Sequence, residues 1–153
     1  RRPTALAIDV QNEIIYVTDT WEHTIYKYDW QGNQVGSIGE YGEEPGQFSY
    51  PTHIAVDGQG LLYVADTLNF RVQVLTPAGE PVTVFGLPGD IYGRFDKIKG
   101  IAVDTEGHIY IADSLLDMIQ IFDREGRLLL FFGEKGNYYG QFMHPTGIFI
   151  DSS

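Results

Sequence analysis

Tyr63-Val64-Ala65-Asp66 decides the fold, because the chain carries this pattern three times. The pattern stands first as Tyr16-Val17-Thr18-Asp19 and last as Tyr110-Ile111-Ala112-Asp113, and each copy follows the one before by 47 residues. Glycine and phenylalanine keep the same spacing elsewhere, at Gly39, Gly86 and Gly133 and at Phe48, Phe95 and Phe142. A fixed period of this length is typical of repeat architectures, in which each repeat is one supersecondary unit.

Each repeat contains four segments with the composition of short β-strands, rich in Val, Ile, Tyr and Phe. In the second repeat the strands are predicted over residues 54–57, 62–65, 71–75 and 81–85, with glycines in the turns between them. Four-stranded meanders at this period are typical of β-propeller blades. The sequence therefore predicts an all-β fold of four-stranded antiparallel blades. The blade repeats cover about residues 3–50, 51–97 and 98–144, and the first strand of a fourth blade covers 145–151.

Three blades are fewer than the roughly four to eight that close a propeller ring. We therefore expect the blades to belong to a ring of about six, completed by further blades or by a second copy of the chain. The strand order also sorts the loops, because the short first-to-second and third-to-fourth turns must share one face. The other face carries the second-to-third loops and the blade-to-blade connections, at residues 19–23, 39–50, 66–70, 86–98, 113–117 and 133–144. We call it the loop-rich face, and we expect any functional site there, since loops on a rigid scaffold commonly carry function.

The chain is strongly acidic, with 21 acidic and 10 basic residues and a formal net charge of −11. Such a surface repels phosphate backbones and anionic lipids, which makes nucleic acid and anionic membranes poor partners, and no nucleic-acid partner is predicted. Membrane insertion is excluded, because no apolar run approaches the ~18 residues of a membrane helix. A basic peptide or protein is the better electrostatic fit. The absence of cysteine excludes disulfides and thiolate-bound metals.

Four motifs of the second repeat resemble the NHL repeat, and they stand in the order of that family. They are Pro51-Thr52-His53-Ile54-Ala55-Val56-Asp57, Leu62-Tyr63-Val64-Ala65-Asp66-Thr67, Asn69-Phe70-Arg71-Val72-Gln73-Val74-Leu75 and Gly93-Arg94-Phe95. The first repeat departs from the pattern at Glu22-His23-Thr24 and the third at Leu116-Asp117-Met118. The resemblance implies a radial propeller, usually of six blades, that serves as a binding platform. A few members are enzymes, notably the peptide-amidating lyase. Together with the absence of cysteine, the resemblance slightly favours an extracytoplasmic location.

Polar residues that recur in every blade are predicted to be structural, because catalytic residues rarely repeat. Asp19, Asp66 and Asp113 end the second strands and are expected to accept backbone N–H groups of the next loop as Asx-turns. The four histidines form no metal-binding motif, so no metal and no cofactor is predicted. No Ser-His-Asp order or close carboxylate pair is present, so no catalytic residue is predicted either.

The candidate contact residues are those that break the repeat, or that are aromatic or polar, on or near the loop-rich face. Tyrosine and tryptophan are enriched in binding hot spots because they combine a large area with a polar tip. The predicted set is Trp21, Glu22, His23, Tyr41, Tyr50, His53, Asn69, Phe70, Arg71, Tyr92, Arg94, Asp117, Tyr138, Tyr139 and His144. The sequence thus favours a non-enzymatic ligand- or protein-binding or scaffolding propeller. The alternative is an enzyme resembling the peptide-amidating lyase or a hydrolase, with its site completed by other blades.

Overall fold

The computed structural model describes residues 1–151, and in this part of the chain twelve strands form three four-stranded antiparallel sheets. The first sheet contains β1 (Pro3–Asp9), β2 (Ile14–Asp19), β3 (Thr24–Asp29) and β4 (Gln34–Ile38). The second contains β5 (Pro51–Val56), β6 (Leu62–Asp66), β7 (Arg71–Leu75) and β8 (Pro81–Phe85). The third contains β9 (Ile98–Val103), β10 (Ile109–Asp113), β11 (Met118–Phe122) and β12 (Leu128–Phe132). Strands adjacent in sequence are adjacent in each sheet, which confirms the predicted all-β class and the blade-like repeats.

The helical content of the described residues is one 3-10 turn, Thr67–Asn69. No helix in residues 1–151 is long and apolar enough to cross a membrane.

β5 begins three residues before its predicted start at residue 54, and β1 and β9 begin at the equivalent positions of their repeats. A β-bulge accounts for this difference. It shifts the pairing between the first and second strands, so that the first strand gains one more residue pair at its beginning. Pro3 pairs with Asp19, and Pro51 pairs with Asp66 in the same way. The early start brings the first strand of a blade up to the loop-rich face.

The core lies between neighbouring blades. Phe48 is fully buried between the first and second sheets, and Phe95 is fully buried between the second and third. The matching Phe142 is partly exposed, and its ring centroid lies 6.1 Å from that of Phe132. The recurring phenylalanine is therefore an anchor for blade packing.

The glycine of each blade-to-blade connection makes room for this phenylalanine. Gly86 has a φ of 116°, and a Cβ there would overlap the ring of Phe95 and lie 2.8 Å from the carbonyl oxygen of Phe70. Only glycine combines this conformation with this close approach. The spacing of nine residues between the two positions is thus a packing requirement.

Residues 145–151, predicted as the first strand of a fourth blade, form no strand in the structure. A strand requires a hydrogen-bonded partner, and none of the named strands of the described chain pairs with this segment. It nevertheless follows β9, since a Cβ on Gly100 would lie 3.1 Å from the backbone of Gly147. Residues 148–150 line an axial cavity of about 300 Å³ together with residues 6–8, 54–56 and 101–103. The segment therefore lies where an innermost strand would run.

Candidate binding face

The second-to-third loops and the blade-to-blade connections meet on one face of the molecule, where the strand order predicts them. The side-chain amide of Asn69 donates to the carbonyl oxygen of Gly42 at 2.9 Å. The carboxylate of Asp113 accepts the backbone N–H groups of Asp96 and Lys97 at 2.8 and 3.0 Å. The first contact joins a second-to-third loop to a connection, and the second fixes a connection to the end of a second strand.

Two of the three recurring aspartates form the predicted Asx-turns. Asp19 accepts the backbone N–H groups of Trp21 and Glu22, and it also accepts that of Arg2 at 2.9 Å. Burial raises the pKa of Asp19, but the three backbone donors outweigh it and hold the pKa below its ordinary value. Asp113 makes the equivalent bonds to residues 115 and 116. Both side chains therefore organise the loops that carry the candidate contacts.

Asp66 departs from this pattern, because its carboxylate is surrounded by side-chain donors. One oxygen accepts the backbone N–H of Ser49 at 2.6 Å. The other accepts Asn69 at 2.8 Å, Arg71 at 2.7 Å and Gln73 at 3.1 Å. Asp66 is completely buried, and Arg71 is its ion-pair partner. The second blade thus holds a buried polar network at the position where the other blades have only backbone contacts.

The predicted contact residues Asn69 and Arg71 use their donors within the protein. The two terminal nitrogens of Arg71 donate to carbonyl oxygens of the connection from the first blade, those of Glu43, Glu44 and Gln47. Gln73 binds the same connection, accepting from the N–H of Gly46 and donating to Gln47. These side chains give the 39–50 connection its path.

Three exposed apolar side chains occupy the same position of the second-to-third loop in successive blades. Trp21 is 63% exposed, Leu68 53% and Leu115 50%. We call these three residues the apolar arc. Trp21 is among the predicted contacts, whereas Leu68 and Leu115 are not. The 47-residue register, counted from Trp21, would have identified both.

The predicted contacts His23, Phe70 and Asp117 share one backbone position, with φ between 52° and 54°. His23 accepts the N–H of Tyr50 through Nδ1 at 3.1 Å, and Asp117 accepts the N–H of His144 at 2.7 Å. His23 and Asp117 therefore supply acceptors for the next connection.

The remaining aromatic candidates lie on the connections. The ring of His23 meets Tyr41 and Tyr50 edge-on, at centroid distances of 4.8 and 5.7 Å. Tyr92 stacks on Phe131 of the third blade at 3.6 Å. The last two, Tyr138 and Tyr139, are almost wholly exposed.

The polar candidates Glu22, Arg94 and His144 lie at the surface. Glu22 faces the N-terminal ammonium group at 4.0 Å. Arg94 donates to the carbonyl oxygen of Pro88 at 3.1 Å. The ring of His144 lies 2.8 Å from the carbonyl oxygen of Ser114. The candidates thus form several neighbouring groups, and the structure does not bring them into one pocket.

His53 breaks the repeat at the innermost strand, where the other three copies carry Ala5, Gly100 and Gly147. Its ring is half-buried, and Nδ1 lies 3.1 Å from the hydroxyl of Thr52. Burial, and then the positive charge of Lys99, lower the pKa of His53 to about 4. The ring is therefore neutral at physiological pH.

We expect His53 to make the stability of the fold depend on pH. In the folded chain the pKa of His53 is about 4, below the ordinary value of 6.5. Between these two pH values the ring is therefore protonated in the unfolded chain and neutral in the folded chain. The stability that the neutral ring of His53 contributes to the fold is fully present above about pH 6.5 and is lost as the pH falls towards 4. His53→Ala introduces the residue that the first repeat carries. Between pH 6.5 and 4, the free energy of unfolding measured by urea denaturation should fall less in this variant than in the original chain. Parallel curves for the two proteins would contradict a neutral buried ring.

A groove of about 420 Å³ opens at the rim of the second blade, between its second-to-third loop and the two adjoining connections. We call it the blade 2 groove, and the side chains that matter below are Glu43, Leu68, Phe70, Arg71, Val84 and Pro88. Among residues 1–151, no three His, Asp or Glu side chains come close enough together to hold a metal ion.

Comparison with known proteins adds a family and a fold. Residues 2–93 match the sequence profile described as SMP-30/Gluconolactonase/LRE-like region. No curated protein sequence matches the chain.

The structural neighbours include hydrazine synthase of Kuenenia stuttgartiensis, with 16% identity, a TM-score of 0.72, and coverage of 95% of this chain and 38% of that one. A catalytically inactive virginiamycin B lyase from Staphylococcus aureus, solved with quinupristin, is 14% identical with a TM-score of 0.69, and the match covers 95% of this chain and 44% of the lyase. The WD40 repeats of RRP9 are 16% identical with a TM-score of 0.69, and the match covers 85% of this chain and 38% of that one. The chain spans about two fifths of the length of these proteins, and at such identities the likeness shows the fold alone. That fold is the β-propeller.

Proposed function

Because the chain belongs to the SMP-30/gluconolactonase/LRE-like family and forms blades of a β-propeller, we propose that it is a recognition module that binds a peptide or protein on its loop-rich face. The NHL-like motifs of the second repeat favour the binding-platform type within this fold. Fold by itself does not choose a function, so the proposal depends on the site.

The observation that carries the proposal is the apolar arc. Trp21, Leu68 and Leu115 are each at least half exposed, and each lies at the same point of its blade. Single surface hydrophobics are ordinary. Three that recur at the same point of successive blades place apolar side chains along one face, where a ligand that spans the blades would contact them. Carboxylates lie beside the arc, Glu22 next to Trp21 and Glu43 in the groove beside Leu68. With a net charge of −11, the face suits a basic partner.

We also propose that further blades, or a second copy of the chain, pack against the third blade in a ring of about six. Phe48 and Phe95 are buried because a following sheet covers them, whereas Phe142 is partly exposed. Tyr92 stacks on the outer strand of the next blade, whereas Tyr139, at the same position, is fully exposed. Both differences fit a missing neighbour of the same kind.

Selection from a phage-displayed random peptide library tests the binding role. We expect the chain to enrich sequences that combine apolar and basic residues. Trp21→Ser should weaken binding of the enriched peptides by roughly tenfold or more, because truncating a hot-spot tryptophan costs more than about 1.4 kcal/mol. Trp30→Ser is the matched control, since Trp30 is 49% exposed but lies in the third-to-fourth turn on the other face. An unenriched library, or equal losses in both variants, would contradict the proposal.

A second candidate is an enzyme whose site is shared with other blades. The family description includes gluconolactonase, and one structural neighbour is a lyase. The axial cavity, however, is lined in the described part of the chain by Leu, Ala, Ile, Val and Phe alone, which supply neither acid nor base. Binding is therefore the function that we favour.

A further inference from the structure

We infer that the blade 2 groove binds an extended peptide that presents an apolar side chain next to a lysine or arginine. This inference rests on the binding role proposed above and deepens it by naming a place and a ligand class. It depends on three features of the groove, namely four apolar side chains in its lining, its rigid floor and its one unpaired charge.

Both polar and apolar groups line the groove, and four side chains supply its apolar part. Leu68 is half exposed and Val84 more than a third exposed, and Phe70 and Pro88 complete the lining. The volume of about 420 Å³ lies within the range of roughly 300–1,000 Å³ that is usual for ligand clefts. An apolar side chain of a ligand would bury part of its water-exposed surface against these four residues.

The floor of the groove is fixed by packing. Phe70 has a left-handed backbone with φ 54°, and its N–H donates to the carbonyl oxygen of Thr67 at 3.2 Å. The carbonyl oxygen of Phe70 and the ring of Phe95 leave no room for a side chain at Gly86. A groove built on such contacts needs little ordering when a ligand binds, which favours affinity.

The polar groups of the groove are already paired, with one exception. The side chain of Arg71 is only 12% exposed, and its guanidinium is neutralised by Asp66 at 2.7 Å and donates to three backbone carbonyls. The amide of Asn69 donates to Gly42 and Asp66. The carboxylate of Glu43 is exposed and makes no hydrogen bond or ion pair with the described residues. The free charge of the groove is therefore negative, and a cationic side chain complements it.

The surroundings favour a peptide over a compact small molecule. The groove borders β8, which is the edge strand of its sheet, so the outer backbone groups of β8 pair with no named strand among the described residues. An extended chain can hydrogen-bond to such an edge while its side chains enter the adjoining pocket. The net charge of −11 would also steer a basic peptide towards the molecule.

Fluorescence anisotropy with two labelled octapeptide pools tests the inference. One pool carries leucine or phenylalanine followed by two basic residues, and the other carries glutamates in place of the basic residues. The basic pool should bind and the acidic pool should not. Glu43→Gln should weaken binding about three- to fivefold, and Glu43→Lys more, with a reduced dependence on salt. Val84→Thr should weaken it about fivefold, because a ligand would bury the hydroxyl unpaired.

Glu80→Gln is the matched control, because Glu80 is exposed in the same blade but lies in the turn between β7 and β8. This variant should bind the basic pool like the original chain. Binding that depends on Trp21 but not on Glu43 or Val84 would overturn the groove as the site and leave the recognition role standing. If neither pool binds and the random library also enriches nothing, both proposals are wrong. Equal binding of the acidic and basic pools would overturn the ligand class.

Discussion

Phe95→Ala should lower the free energy of unfolding by about 3–5 kcal/mol, the range typical for truncating a buried phenylalanine. Phe95 is completely buried between the second and third blades, and its ring lies 5.5 Å from Phe122 and 6.3 Å from Phe85. The surrounding strands are tied into two sheets and cannot collapse into the space, so a cavity should persist. Urea denaturation followed by circular dichroism measures the change.

Phe142→Ala is the matched control, because Phe142 holds the same position in the third repeat but is partly exposed. It should cost only about 1 kcal/mol in the isolated chain, because exposed apolar surface contributes little to folding. Equal losses in the two variants would contradict the view that contact with the next blade buries the ring. In a closed ring, Phe142→Ala should become as costly as Phe95→Ala.

The blade pattern could be predicted from the sequence because it depends on local periodicity repeated three times. The 47-residue register gives the strand order, and strand parity then sorts the loops and turns between the two faces. The early start of β5 could not be predicted in this way. Its first residues are held by distant partners, since Pro51 pairs with Asp66 and the hydroxyl of Thr52 meets that of Thr67 at 2.5 Å.

The candidate site was only partly predictable. Trp21 can be identified from the sequence because it is a tryptophan that breaks the repeat. Leu68 and Leu115 cannot be told from core residues by residue type, and only the structure shows that they are exposed. Asn69 and Arg71 are predicted as ligand contacts because they are polar and lie near a loop. The structure shows that their donors bind carbonyl groups of the 39–50 connection. The path of that connection depends on packing between blades, which no local pattern encodes.

Asp66→Ala should be as damaging as Phe95→Ala, at about 3–5 kcal/mol, because it leaves a buried cation without its counterion. Arg71 is 12% exposed and pairs with Asp66 at 2.7 Å. The substitution also removes the acceptor for the N–H of Ser49 and for the amides of Asn69 and Gln73. Unsatisfied buried donors add to the loss. Urea denaturation measures it.

Asp113→Ala separates the charge effect from the loss of backbone hydrogen bonds. Asp113 is also completely buried, but its partners are backbone N–H groups, and Met118 stands where the second repeat has Arg71. Its removal should therefore cost less, about 1–3 kcal/mol. Adding Arg71→Met to Asp66→Ala should recover part of the stability, because the uncompensated cation is then gone. Equal costs at Asp66 and Asp113, with no recovery in the double variant, would mean that the aspartate acts through the backbone alone in every blade.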